Sequence, residues 1–200
     1  MEPSAPSVQA MIDCETRTFS AFVDRAAARV EAADPADPMT PYRPLNLARM
    51  KRITATYTPS DELRRAIATV QQPRTWLVIT EDWCGDSAQT LPLLAAIAAL
   101  NPLIDFTIID RDTNIDIMDK YLTNGSRSIP ILVARDAQGK DLWTWGPRPD
   151  AMLSLIELWK TAGRPKEEWY TELHTWYAND HGVSTEADII KRLATEQPTA

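Results

Sequence analysis

Positive charge, cysteine, histidine and long apolar runs are all in short supply in this chain, and each shortage removes a class of function. The 200 residues carry 21 Lys and Arg against 28 Asp and Glu, a formal net charge of −7. Generic binding to nucleic acid or to an anionic membrane depends on basic patches, so neither partner is expected. Arg49-Met50-Lys51-Arg52 is a local exception that a solvated helix face accounts for. With 2 cysteines and 2 histidines, a structural zinc site would have to draw carboxylates from scattered places, and no metal-ligand spacing is present. Asp110-Arg111-Asp112-Thr113-Asn114 has the opening of an EF-hand loop, but Ile115 and Tyr121 stand where calcium coordination requires glycine and glutamate. The longest apolar stretch, residues 91–104, is interrupted by Pro92, Asn101 and Pro102, which suits a buried helix ending at a turn rather than a bilayer span. The N-terminus lacks the basic region and apolar core of a secretory signal, so a reducing, cytoplasmic compartment is expected. There is no internal repeat and no low-complexity tract.

What is present reads as one domain of average size with terminal elaborations. Met11, Ile12, Phe19, Phe22, Val23 and Val30 fall at helical spacing and predict an N-terminal helix over 8–33. Pro35, Pro38, Pro41 and Pro44 then impose an extended, stiff connection, and residues 45–52 add a helical turn or two. Ile53-Thr54-Ala55-Thr56-Tyr57 alternates and is β-branched, which predicts the first strand. Ser60 caps a helix running to about Gln72. Strand 75–80, helix 84–100, strand 104–110, helix 114–122, strands 130–134 and 140–145, and helix 149–162 follow. A βαβ crossover followed by a hairpin and a closing helix makes a three-layer α/β sandwich on a mixed sheet. Beyond Pro165, the apolar stripes Trp169, Leu173, Trp176, Tyr177 and Ile189, Ile190, Leu193 predict helical segments folded back onto the domain. The expected divisions are 1–52, an N-terminal helical extension with its proline-rich connection; 53–163, the α/β domain; and 164–200, a C-terminal helical extension.

The chemistry concentrates at Trp83-Cys84-Gly85-Asp86-Ser87, between an apolar strand and an apolar helix. Unpaired N–H groups and the positive end of the macrodipole at a helix start favour a thiolate, the nucleophilic form of cysteine. Asp82 and Asp86 oppose it, since nearby carboxylates disfavour a further negative charge. Ser87 can hydrogen-bond the sulfur but cannot close a disulfide with it. Farther along, Ser128-Ile129-Pro130 opens a strand, a usual setting for a cis X-Pro bond. Arg127 and Arg148 are either sources of positive charge beside this site or solvated surface. His174 and His181 have no serine or cysteine context and read as surface or packing residues.

These two elements, Trp83-Cys84-Gly85 and Ile129-Pro130, together with the hairpin around Asp136–Lys140 and Trp145-Gly146, resemble the thioredoxin superfamily over roughly residues 53–162. The Trp-Cys-Gly-Asp-Ser spelling and residues 121–130 resemble a group of single-cysteine, thioredoxin-like proteins. The resemblance implies a thioredoxin-like three-layer sandwich, with Cys84 and Ser87 as catalytic residues and Trp83, Gly85, Asp86, Ile129 and Pro130 contacting substrate. It also places Val78 where the superfamily usually carries a buried acid. With the resolving cysteine missing, intramolecular attack is lost, so a mixed disulfide at Cys84 waits for an external thiol. The implied function is a monothiol thiol–disulfide oxidoreductase acting on protein or small-thiol disulfides. Glutathione or another low-molecular-weight thiol is its co-substrate, and it needs no other cofactor and no metal. Cys14 is a second, weaker candidate for resolving that bond. Two other readings stand beside it: a redox-inactive binding or adaptor module of the same fold, and a glutathione-dependent iron–sulfur cluster carrier suggested by Cys84-Gly85-Asp86-Ser87.

Overall fold

A computed structural model of the chain describes residues 16–196. Helix α1 (Phe19–Ala32) is capped by Thr18, whose hydroxyl accepts from the Ala21 N–H at 3.2 Å, and it buries Phe22 and Ala26. Met11, Ile12 and Cys14 lie outside the described residues. The proline-rich connection ends in a 3-10 turn (Thr40–Tyr42), and helix α2 (Arg43–Thr56) begins with Pro44 near its N-terminus, where a missing N–H costs nothing.

Helix α2 runs through residues 53–56, so the strand expected at Ile53–Tyr57 does not form. Leu47, Met50, Ile53 and Tyr57 also satisfy a period of 3.6, and that period wins because Leu47 and Met50 enter the main core with Ile53 and Tyr57 partly buried behind them. The β-branched threonines adapt to the helix: the Thr54 and Thr56 hydroxyls donate to the carbonyls of Met50 and Arg52, at 2.8 and 2.9 Å. A boundary between residues 52 and 53 therefore falls inside a helix.

Helix α3 (Asp61–Ile67) has the expected cap, with Ser60 Oγ accepting from the Leu63 N–H at 3.2 Å. It stops well short of Gln72 because the Asn101 side-chain amide donates to the carbonyls of Ile67 and Val70, at 3.0 and 2.9 Å, and holds the chain in a turn. Strand β1 (Arg74–Thr80), helix α4 (Gly85–Ala98) and strand β2 (Ile104–Asp110) form the crossover. Helix α5 is a single turn (Ile115–Met118) rather than 114–122. The chain leaves it through a tight reversal in which Asn124 and Gly125 take positive φ and Thr123 bridges Ser126.

Strands β3 (Ile131–Asp136) and β4 (Asp141–Trp145) complete a four-stranded sheet in the order β2-β1-β3-β4. Strands β1 and β2 are parallel, and the other pairings are antiparallel. The sheet is mixed, as expected, but with one strand fewer than the sequence suggests. Alternation along β1 separates the layers: Trp76 and Val78 face the main core with α1–α4, while Leu77 and Ile79 face a second cluster containing Ile117, Met118, Ile129 and Cys84.

Helices α6 (Asp150–Thr161) and α7 (Lys166–Asp180) share a third cluster, in which Trp159 and Trp169 stack with centroids 5.6 Å apart. Helix α8 (Val183–Thr195) returns Ile189 and Leu193 to the main core. It is pinned there by Trp145 Nε1 donating to Asp188 at 2.8 Å and by an ion pair of Arg74 with Glu196 at 2.7 Å. Among the described residues no helix is long and apolar enough to cross a membrane.

Candidate active site

The site is built where β1 ends and α4 begins. Cys84 itself is the N-cap of α4, with extended φ and ψ of −78° and 120°. Its Sγ–H donates to the Ile129 carbonyl at 3.4 Å, which joins the two elements that the sequence singles out. The Ile129-Pro130 bond is cis, as expected from the sequence, and so is Gly146-Pro147. Gly146 is required where it stands. Its φ is +119°, and a Cβ there would lie 2.2 Å from the Pro130 carbonyl oxygen.

Cys84 is 7% exposed. Burial pushes its thiol up to about 11, and the Asp86 carboxylate adds to the shift. The Ser87 hydroxyl and the backbone N–H groups of Ser87 and Asp86 oppose that shift by favouring a thiolate. Ser87 is available for this because its oxygen receives the Thr80 hydroxyl at 2.5 Å, leaving its own hydrogen to point at sulfur. Thr80, the last residue of β1, is a positioning residue that sequence reading missed. Trp83 forms a half-buried wall, with the Arg111 guanidinium 4.8 Å above its ring.

The acids of the loop are held from outside the α/β unit. Asp82 is buried and ion-paired at 2.9 Å with both Arg29 of α1 and Arg43 of α2, and Asp110 at the end of β2 pairs with Arg17 at 2.9 Å and with Arg25. Arg25 and Arg29 are one helical turn apart, a spacing visible in the sequence, although their distant partners are not. Glu81, also buried, accepts from the Asp112 N–H at 2.9 Å. Burial, with the charges of Asp110, Asp112 and Asp82, pushes its carboxyl up to about 7. Val78, where the resemblance would place an acid, is fully buried in the main core.

Helix α7 covers the loop. The Tyr177 hydroxyl donates to Asp86 at 3.0 Å, and Arg148 pairs with the other Asp86 oxygen at 2.5 Å. Arg148 is thereby part of the site, while Arg127 is exposed and bidentate to Asp119, at 2.6 and 2.9 Å, on the rim. His174, read from the sequence as a surface or packing residue, packs on the Cys84 loop. Its ring lies 3.1 Å from where a Gly85 Cβ would stand, next to the Tyr170 hydroxyl at 3.3 Å from the same point. Burial, assisted by the charge of Arg49, pushes the His174 imidazole down to about 4. The spacing of Tyr170, His174 and Tyr177 on one helix face was the available signal.

A pocket of about 590 Å3 opens beside the thiol, between Trp83, Arg111, Ser128, Ile129, Arg148 and Tyr170. Among the described residues there is no group of three or more His, Cys, Asp or Glu that could hold a metal ion.

The geometry agrees with what comparison with known proteins finds. The crystal structure of a protein of unknown function from Pseudomonas aeruginosa superposes with a TM-score of 0.66 at 19% identity, covering 96% of this chain and 100% of the other. That of an HIV epitope-scaffold superposes at 0.63 and 18% identity, covering 96% and 99%. These likenesses concern the fold. No curated protein sequence matches the chain. A thioredoxin family model matches residues 32–161, from the end of α1 to the end of α6, so that both the thiol and the cis-proline turn lie within it and the roof formed by α7 lies beyond it. The chain belongs to this thioredoxin family.

Proposed function

We propose that the protein is a monothiol thiol–disulfide oxidoreductase working through Cys84. The observation that carries this reading is the thiol at the start of α4 touching the Ile129 carbonyl, 3.4 Å away. Ile129 directly precedes the cis-proline, so the backbone available for pairing with a docked, extended substrate is the one beside the nucleophile. The Cys84 thiolate attacks one sulfur of R–S–S–R′, forming Cys84–S–S–R and expelling R′–S−, which takes up a proton. Ser87 offers no second sulfur. The thiolate of an external thiol therefore attacks the R sulfur, forming its own disulfide with R as the S–S bond to Cys84 breaks and the Cys84 thiolate returns.

Glutathione or another small thiol suits that second step, and a reducing cytoplasm would supply it. Disulfides of proteins or of small thiols suit the first. Ser87 and the N–H groups of α4 stabilise the departing thiolate, while Trp83 keeps the site apolar. With the resting thiol pushed up to about 11, turnover at neutral pH runs through a small thiolate fraction.

That same burial favours a second reading, a binding module that keeps the fold without turnover. Incubation with glutathione disulfide at mildly alkaline pH, followed by intact mass and peptide mapping, separates the two. An adduct on Cys84 that added glutathione removes, and that Cys84→Ser abolishes, is the expected result. Absence of any adduct at Cys84 sinks the oxidoreductase and leaves the binding module.

A further inference from the structure

Helices α2 and α7, with Gln89 of α4, border a second, open pocket of about 480 Å3, lined by Arg49, Arg52, Gln89, Tyr170, His174 and Thr175. Tyr170 and Thr171 border both this pocket and the one beside Cys84, so the two are separated by a single helical wall.

The charge here is unmatched. Arg17, Arg25, Arg43, Arg74, Arg135 and Arg148 are all partly or fully buried, and each holds a carboxylate. Arg49 is half-buried too, yet among the described residues it has no carboxylate partner; its guanidinium donates only to the neutral Asn46 Oδ1, at 3.1 Å. Arg52 adds a like charge on the same wall and also has no carboxylate partner among the described residues. Asp86, the acid whose charge reaches Arg49, is taken up by Arg148 and Tyr177. A second donor is unmatched as well. Taking the Gln89 amide, 3.4 Å from His174 Nδ1, as donor places the ring proton on Nε2, a buried atom with no hydrogen-bond partner among the described residues. Burial lowers the pKa of Arg49, the cost of a desolvated cation left without a counter-charge.

We infer that the α2–α7 pocket is an anion-binding site, in which Arg49 and Arg52 receive the carboxylate or phosphate group of a small molecule beside the thiol pocket. An acidic protein that pairs its other sequestered arginines leaves this one open to an anion that arrives from solution. A bidentate guanidinium–oxyanion contact supplies both affinity and orientation.

The test measures melting of the reduced, full-length protein in buffer free of polyvalent anions, titrated with inorganic phosphate in one arm and succinate in the other. At about ten times the dissociation constant, the binding anion should raise the melting temperature by about 3–6 °C. Response to phosphate alone identifies a phosphoryl ligand, and response to succinate alone a carboxylate ligand. Arg49→Met should lose the shift and, without anion, melt no lower than the parent, because it removes an uncompensated charge. Arg52→Gln, at an exposed position, should weaken binding several-fold and serves as the readout if Arg49→Met does not fold. No shift with either anion, or an undiminished shift in the folded variants, overturns the inference. Since melting rather than turnover is read, the outcome is independent of whether Cys84 exchanges disulfides.

Discussion

Replacing Asp86 with asparagine should make Cys84 more acidic and the protein less stable. Asp86 is the charge that, after burial itself, holds the thiol up at about 11. At that value roughly three thiols in ten thousand are ionised at a pH of about 7.5. Asparagine removes the like charge and leaves Arg148, formerly neutralised, facing the sulfur, so both changes favour the thiolate. A fall of about 1–2 pH units is expected. The gain in rate is smaller than the gain in thiolate, because intrinsic nucleophilicity falls with pKa at a Brønsted slope of about 0.4–0.5; alkylation near neutrality should speed up by about 3- to 10-fold. Stability should drop by about 2–3 kcal/mol, at or below the range for breaking a buried pair, because the Arg148 side chain keeps contact with water. Iodoacetamide labelling across a pH series, with peptide mapping to separate Cys84 from Cys14, gives the first quantity, and urea unfolding gives the second. An unchanged or higher thiol pKa in the folded variant would refute this electrostatic account.

Three further perturbations address other parts of the fold. Glu81 has a raised carboxyl pKa, so the stability it contributes is complete below its usual value of 4.5 and is lost as pH rises through about 7. Glu81→Gln keeps an acceptor for the Asp112 N–H, and should match the parent in mild acid but exceed it by about 1–3 kcal/mol above neutrality; melting at both pH values checks this, and a gap independent of pH counts against it. Gly146→Ala forces a Cβ onto the Pro130 carbonyl at a left-handed φ, and should cost about 3 kcal/mol or more in urea unfolding, with faster alkylation of Cys84 as the turn shifts; wild-type stability would mean that the turn gives way cheaply. Truncation after Gly163 uncovers Met152, Ile156 and Trp159 and lifts the roof, so it should lower the melting temperature and accelerate Cys84 labelling together. An unchanged melting temperature would mean that α7 is not part of the packed structure.

The thiol loop and the cis-proline turn were legible because each is a local signal, a strand end or a strand start carrying a distinctive residue. The Ser60 cap was legible for the same reason. Residues 53–57 misled because Ile53 and Tyr57 fit both a two-residue and a helical period, and only the core supplied by Leu47 and Met50 decides between them. What escaped was long-range. Arg29 and Arg43 reach Asp82, and Tyr177 reaches Asp86 from 91 residues away, pairings that no local pattern encodes. His174 was read only as surface or packing because its neighbours in sequence are unremarkable, while its neighbours in space are Gly85 and Tyr170.

The two outer strands carry one more consequence, for self-association. A bare strand edge is a template on which a second copy can polymerise. On β2 that template is occupied, since Arg17 exchanges both backbone hydrogen bonds with Ile108 at 2.8 Å. On β4 the Arg192 guanidinium of α8 donates to the Thr144 carbonyl at 2.8 Å. Segments outside the central α/β unit thus act as selvedges on the sheet, and a chain stripped of them would be prone to growing into fibres edge by edge.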